Sequence, residues 1–418
     1  MYELSEDQDV ALGKIIQFLG DATQKEMVLA GPAGTGKTYL TQHILTAARG
    51  TSHRMLRLLL GTKKKLDTEL TSTTNKAATV LSNSTGENVR TIHSLLGLRP
   101  MKDYTTGETK MVPTNNTKML EHLFLIVDEA SMINDHLLNT IRKQTMKCKI
   151  LYILDEYQLA PVKASSIPVI ETITNQVRLT TIQRQAKDSA IITCAAGFRN
   201  ALDTGIFPQI MSFGSDVQHV SKPEFKQVID EAFIKEQTDE SYKIMAWANK
   251  RVHQYNNYIR KLKNLPPFFK LDERVLVNSA ITHGDTVLHR TDSIVKVTYM
   301  MPGMEQGISG WNIELNGSSM HFIAENPNKV HALKSAFKKA KDWKKFYEAE
   351  EIFADLRPLY AGTVTKSQGS TYHTTFIDVA DIGRNTKNKE IARLMYTAIT
   401  RASNKVYLCG ELPARLYR

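Results

Sequence analysis

One octapeptide narrows the folds open to this chain: Gly31-Pro32-Ala33-Gly34-Thr35-Gly36-Lys37-Thr38. It follows the apolar run Met27-Val28-Leu29-Ala30 and precedes Leu40, Ile44 and Leu45, which are spaced as on one helical face. G-x-x-x-x-G-K-[ST] between a strand and a helix is a phosphate cradle. Its glycines let successive backbone N–H groups turn inward toward phosphate oxygens. Lys37 then reaches the outer phosphates, Thr38 offers a hydroxyl to Mg²⁺, and the helix N-terminus adds favourable potential. The segment predicts an α/β fold that binds a nucleoside triphosphate.

Such a cradle needs a carboxylate on a neighbouring strand. Leu123-Phe124-Leu125-Ile126-Val127 reads as a strand buried on both faces, and it runs into Asp128-Glu129. Asp128 is placed to hold the metal, and Glu129 to orient and deprotonate an attacking water. A third strand, Ile150-Leu151-Tyr152-Ile153-Leu154, ends in Asp155-Glu156-Tyr157-Gln158. Three strands that end in polar residues put the site at the C-terminal edge of a parallel sheet.

The remaining features bound the setting. A chain of 418 residues suits two to three domains. The net charge of +11 suits a polyanionic partner. Cys148, Cys194 and Cys409 are scattered, so neither a disulfide framework nor a zinc site is expected. No apolar run approaches the ~18 residues of a membrane span, and the acidic N-terminus lacks the order of a signal peptide. A cytoplasmic protein is expected, in the host cytoplasm if a phage encodes it.

The order of segments is distinctive. Gln8 precedes the cradle; Thr73-Thr74-Asn75-Lys76-Ala77-Ala78, Thr91-Ile92-His93-Ser94, Asp128-Glu129-Ala130-Ser131 and Asp155-x-x-Gln158-Leu159-x-Pro161 follow. Then come Leu179-Thr180-x-x-x-Arg184-Gln185, Ala246-Trp247-Ala248-Asn249-Lys250, Thr363-x-x-Lys366-Ser367-Gln368-Gly369-Ser370 and Tyr396-Thr397-Ala398-Ile399-Thr400-Arg401-Ala402. This series resembles the motifs of superfamily 1B helicases, the Dda/RecD-like 5′→3′ branch. The resemblance implies two RecA-like P-loop NTPase domains that clasp Mg²⁺ and ATP. It implies that Gln8 reads the adenine edge and that Gln158 senses the γ-phosphate. Arg184 and Arg401 become arginine fingers, and Gly369 a nucleotide contact. Thr73, Thr74, His93, Asn249, Thr363 and Thr365 become DNA contacts, whereas Trp247 is read as core.

Residues 98–118 read as a β-hairpin around Thr105-Thr106-Gly107, at the place where related helicases carry a strand-splitting pin; Tyr104 is its candidate wedge. Alternating runs over 266–356 suggest a small barrel similar to the SH3-like insertion of this branch. A lysine-rich helical stripe from Val330 to Tyr347 follows them. The domains expected are thus 1–180, then 181–265 with 357–418, and the insertion 266–356. The function implied is an ATP-dependent 5′→3′ DNA helicase acting as a monomer on single-stranded DNA and on single-/double-strand junctions. Single-stranded DNA-binding, replication or recombination proteins are the implied partners. The alternatives are a translocase that displaces bound proteins and an RNA-acting helicase.

Overall fold

The computed structural model describes residues 3–49, 67–114, 117, 119–161, 166–183, 189–235, 240–283 and 286–417. The first lobe is built on a six-stranded parallel sheet. Its order is Gln176–Arg178, Glu26–Ala30, Lys149–Leu154, Leu123–Asp128, Asp67–Ser72, Arg90–Thr91. The period of two along its central strands feeds both faces. Phe124, Ile126, Leu151 and Ile153 join Ile15, Leu40 and Ile44 on one side. Leu125, Val127, Ile150 and Tyr152 join Ile92, Leu138 and Ile141 on the other. Because both faces are covered by helices, these strands are apolar throughout rather than alternating.

The second lobe carries a five-stranded parallel sheet ordered Val217–Val220, Ala402–Cys409, Tyr372–Asp378, Tyr242–Ala246, Ala361–Thr363. Helices Ala190–Thr204 and Asn388–Ile399 cover one face, and Lys222–Lys235 and Asn249–Leu262 the other. Trp247 corrects its assignment to the core. The strand stops at Ala246, and Asp381 takes the N–H groups of both Trp247 and Ala248. The chain therefore turns at the sheet edge, and the indole is 36% exposed.

Between the strands of this lobe lies an antiparallel five-stranded sheet in the order Ser319–Ala324, Ile308–Leu315, Ile294–Glu305, Arg274–Val277, Leu356–Arg357. Val275, Val277, Val295, Val297, Ile313 and Leu315 form its core. The stripe expected as one helix over 330–347 is two helices, Pro327–Lys339 and Trp343–Ile352. Lys341 adopts φ 55°, and Asp342 caps the second helix by accepting the Lys345 N–H at 3.1 Å. Val330, Leu333 and Phe337 pack on Phe322 and Phe353 of this insertion.

Strands Leu98–Lys102 and Thr109–Pro113 pair antiparallel, from Leu98 opposite Pro113 to Lys102 opposite Thr109. Asp103 orders the connecting turn by accepting the N–H groups of Thr105 and Thr106. The hairpin rests on the insertion's second helix. Lys102 pairs with Glu351 at 2.6 Å, and Tyr104 meets Tyr347 edge-on at 5.3 Å. Gly107 lies so close to Trp343 that an added Cβ would sit 2.3 Å from the ring. Among the described residues, no helix is long and apolar enough to cross a membrane.

Candidate functional site

The strand Glu26–Ala30 delivers the chain into Gly31, and the helix Lys37–Arg49 begins at the far end of the cradle. Gly34 (φ 86°) and Gly36 (φ 75°) occupy the left-handed region that glycine adopts at little cost. Thr35 is buried and its hydroxyl donates to the Pro32 carbonyl at 2.9 Å. Lys37 donates from Nζ to the carbonyls of Gly31 (2.6 Å) and Pro32 (3.1 Å), which folds its ammonium over the loop. Thr38 is exposed in the first helical turn.

Gln8 differs from the expectation placed on it. Its amide oxygen accepts the Ser5 N–H at 3.1 Å and its Nε2 donates to the Thr35 carbonyl at 2.9 Å. With both ends of the carboxamide engaged and the residue 1% exposed, Gln8 braces the loop in this arrangement instead of presenting a free edge to a base.

Asp128 ends its strand, and Glu129 (φ 52°) turns the chain away from it. Thr73 donates from its hydroxyl to the Glu129 carbonyl at 3.1 Å, so this candidate DNA contact also braces the acidic pair. Burial, and then the neighbouring Glu129 charge, push the Asp128 carboxyl up to about 7, against the pull of Lys37. Two carboxylates and one ammonium leave this pocket short of positive charge, a deficit that a divalent cation makes good. The residues therefore fit Mg²⁺ held by Thr38 and Asp128, with the phosphates on the cradle. The bound cation would polarise the phosphates and neutralise developing charge.

The second lobe closes over this edge. Gln368 donates from Nε2 to Gln158 Oε1 (3.3 Å) and to Ser131 Oγ (3.4 Å), all three residues being buried. Gly369 (φ 75°) lies against Thr74 and Ala77, where a Cβ would stand 3.0 Å from that of Ala77. Glycine is thus required here by lobe approach as well as by φ. Tyr396 accepts the Ala33 N–H at 2.8 Å and donates to Asp155 Oδ2 at 2.7 Å. Arg393, one turn earlier on the same helix, donates to the carbonyls of Glu156 and Gln158. Arg401 is 8% exposed; one terminal nitrogen donates to the Ser370 carbonyl at 3.4 Å, and its buried Nε has no partner among the described residues. A buried guanidinium N–H without an acceptor, on a side chain bonded to the residue that follows Gly369, fits an anionic phosphate. Arg184 lies outside the described residues.

The candidate DNA contacts form one group in each lobe. Ser72 pairs with Thr91, which brings Thr73, Thr74 and His93 to neighbouring strand ends. Ala246 pairs with Thr363, which does the same for Asn249, Thr363 and Thr365. Lys76 bridges the groups by donating to the Lys366 carbonyl at 3.5 Å. Thr74 and Thr363 cap the helices that follow them, accepting the N–H groups of Ala77 and Lys366. The cap of helix Ile92–Leu95 is Thr91 and not His93, which is half-buried with its pKa lowered by desolvation. Asn249 and Thr365 are exposed. Tyr104 stands apart on the hairpin and is 57% exposed.

Asp155, Gln368 and Tyr396 lie within the motif stretches, which by themselves give them no role, and the sequence does not single out Arg393. Its only signal was a position three residues before Tyr396, on the same helical face.

Comparisons agree with this layout. An AAA domain model matches residues 3–206, and a UvrD-like helicase C-terminal domain model matches 358–409. The ATP-dependent DNA helicase dda of Enterobacteria phage T4 is 24% identical over 472 residues, covering 97% of this chain and 99% of that protein. The chain belongs to the Dda/RecD-like superfamily 1B helicases. Within this helicase family, the ATP-dependent RecD2 DNA helicase of Deinococcus radiodurans is 30% identical over 196 residues, 46% of this chain and 24% of that protein. A Pif1 structure solved for DNA unwinding at forked duplex shares the fold with a TM-score of 0.51 at 16% identity. It covers 100% of this chain and 94% of that one. The two parallel-sheet lobes of this helicase fit RecA-like domains.

Proposed function

We propose that the protein is an ATP-dependent DNA helicase that moves 5′→3′ along single-stranded DNA and separates duplex at a junction. The observation that carries this reading is the buried contact of Gln368 with Gln158 and Ser131, which joins the lobes beside both the cradle and the threonine-lined strand ends. Nucleotide bound at the seam touches both lobes and favours closure; hydrolysis releases that link. Lys37, Asp128, Glu129 and Arg401 serve the phosphates, and the threonine groups hold the sugar–phosphate backbone, which positions a strand without reading it. The 5′→3′ direction rests on the family alone.

The hairpin is the proposed pin. Its contacts with Trp343 and Tyr347 make it a braced element and not a loose loop. Tyr104→Ala should lower duplex unwinding by about tenfold, the equivalent of one lost aromatic contact of about 1.4 kcal/mol, while DNA-stimulated ATP hydrolysis is retained. Equal unwinding by the variant and the parent protein contradicts the pin assignment.

The test of the function as a whole is ATP hydrolysis by the parent protein with and without an oligothymidylate, alongside displacement of a labelled strand from a 5′-tailed duplex. Stimulation with displacement supports the helicase. Stimulation without displacement, together with removal of a protein bound to the strand, favours a protein-displacing translocase instead.

A further inference from the structure

We propose that Tyr396 is a positioning residue that couples the phosphate cradle to the grip on nucleic acid, through a hydroxyl bridge across the lobe seam. The inference rests on the helicase reading above and names a side chain to which that reading gives no role. The bridge has a fixed direction. The Ala33 N–H can only donate, so the tyrosine oxygen accepts there (2.8 Å) and its single proton goes to Asp155 Oδ2 (2.7 Å). Both partners belong to the first lobe, and the oxygen between them belongs to the second.

The surroundings hold this geometry. Tyr396 is 2% exposed, and its ring meets Tyr157 edge-on at 6.2 Å. Asp155 is buried and also accepts the Tyr157 N–H at 3.0 Å. Arg393 fastens the same helix to the carbonyls at 156 and 158. From Asp155 the loop leads to Gln158, whose amide oxygen accepts from Gln368; the next residue, Gly369, lies against Thr74. A path of hydrogen bonds as far as Gln368, completed by the packing of Gly369, thus runs from a cradle N–H to the threonine-lined strand ends. Parting the lobes breaks the bridge and leaves a cradle N–H and a carboxylate without that partner. Whatever rearranges the cradle therefore biases closure, and closure biases the strand grip. Contiguity alone does not demonstrate coupling, so the test measures coupling itself.

The experiment uses the full chain with Tyr396→Phe, which removes one oxygen and keeps the ring. Affinity for a labelled oligothymidylate is measured without nucleotide and with a Mg²⁺-bound non-hydrolysable ATP analogue. The ratio of the two affinities is the coupling factor. In the parent protein this factor should depart from one by about tenfold. In Tyr396→Phe it should move at least about fivefold toward one, while affinity without nucleotide changes less than about twofold. Asp155→Asn, which keeps the shape and weakens the acceptor, should move it the same way by a smaller step. That variant carries the test if Tyr396→Phe does not fold. A ratio equal to that of the parent protein overturns the proposal, including the case in which both affinities fall together as a purely structural loss would make them. A parent protein whose grip ignores nucleotide defeats the helicase reading and the bridge with it, an outcome separable from failure of the variant alone.

Discussion

Glu129→Gln is expected to lower DNA-stimulated ATP hydrolysis by about 10³, with nucleotide binding kept, because the role proposed for Glu129 is to prepare the attacking water. The substitution is nearly isosteric, and the Glu129 backbone is fixed independently by the turn at φ 52° and by the Thr73 hydroxyl on its carbonyl. It also removes the neighbouring charge that is the second cause, after burial, of the raised Asp128 pKa. Loss of that repulsion moves the Asp128 pKa downward, so its carboxylate is more readily available to a metal at neutral pH, not less. Phosphate-release kinetics with a separate nucleotide-binding titration check this. A loss in hydrolysis smaller than about tenfold contradicts the assignment.

Arg401→Ala should cost a comparable factor, about 10³ in the same rate, through loss of charge stabilisation on the transferring phosphoryl group. The guanidinium is nearly enclosed, donates to the Ser370 carbonyl at 3.4 Å, and among the described residues keeps a buried Nε–H without an acceptor. Arg401→Lys should not restore the rate, because an ammonium lacks the planar fork that spans two oxygens. Since a buried cation is being removed, the melting temperature belongs beside the kinetics. A rate loss with little change in melting temperature supports the finger, whereas unfolding that accounts for the whole loss contradicts it.

The parts of the site that were legible in the sequence are those whose chemistry is local. The cradle, Asp128 and Glu129 follow directly from strands whose apolar runs announce burial on both faces. The seam was only half legible. Tyr396 and Asp155 stand 241 residues apart, and nothing in the pattern around either one names the other. Gln8 was legible only in part, because a carboxamide suits a base and a loop carbonyl equally well, and the contacts with the Ser5 N–H and the Thr35 carbonyl have no signature in the sequence. Trp247 follows a buried strand, yet Asp381 on another element ends that strand one residue earlier. The lysine-rich stripe read through its own break because the apolar spacing stays in phase on both sides of Lys341. A positive φ at lysine leaves no mark in composition.

On the proposed mechanism, ATP held between two lobes drives motion along one strand. Its most direct test is ATP-dependent displacement from duplexes carrying either a 5′ or a 3′ single-stranded tail, with Lys37→Ala beside the parent protein. Displacement from the 5′-tailed substrate only is expected, and it should be abolished in Lys37→Ala. Displacement that persists in Lys37→Ala, or none from either substrate under conditions where ATP is hydrolysed, would contradict it.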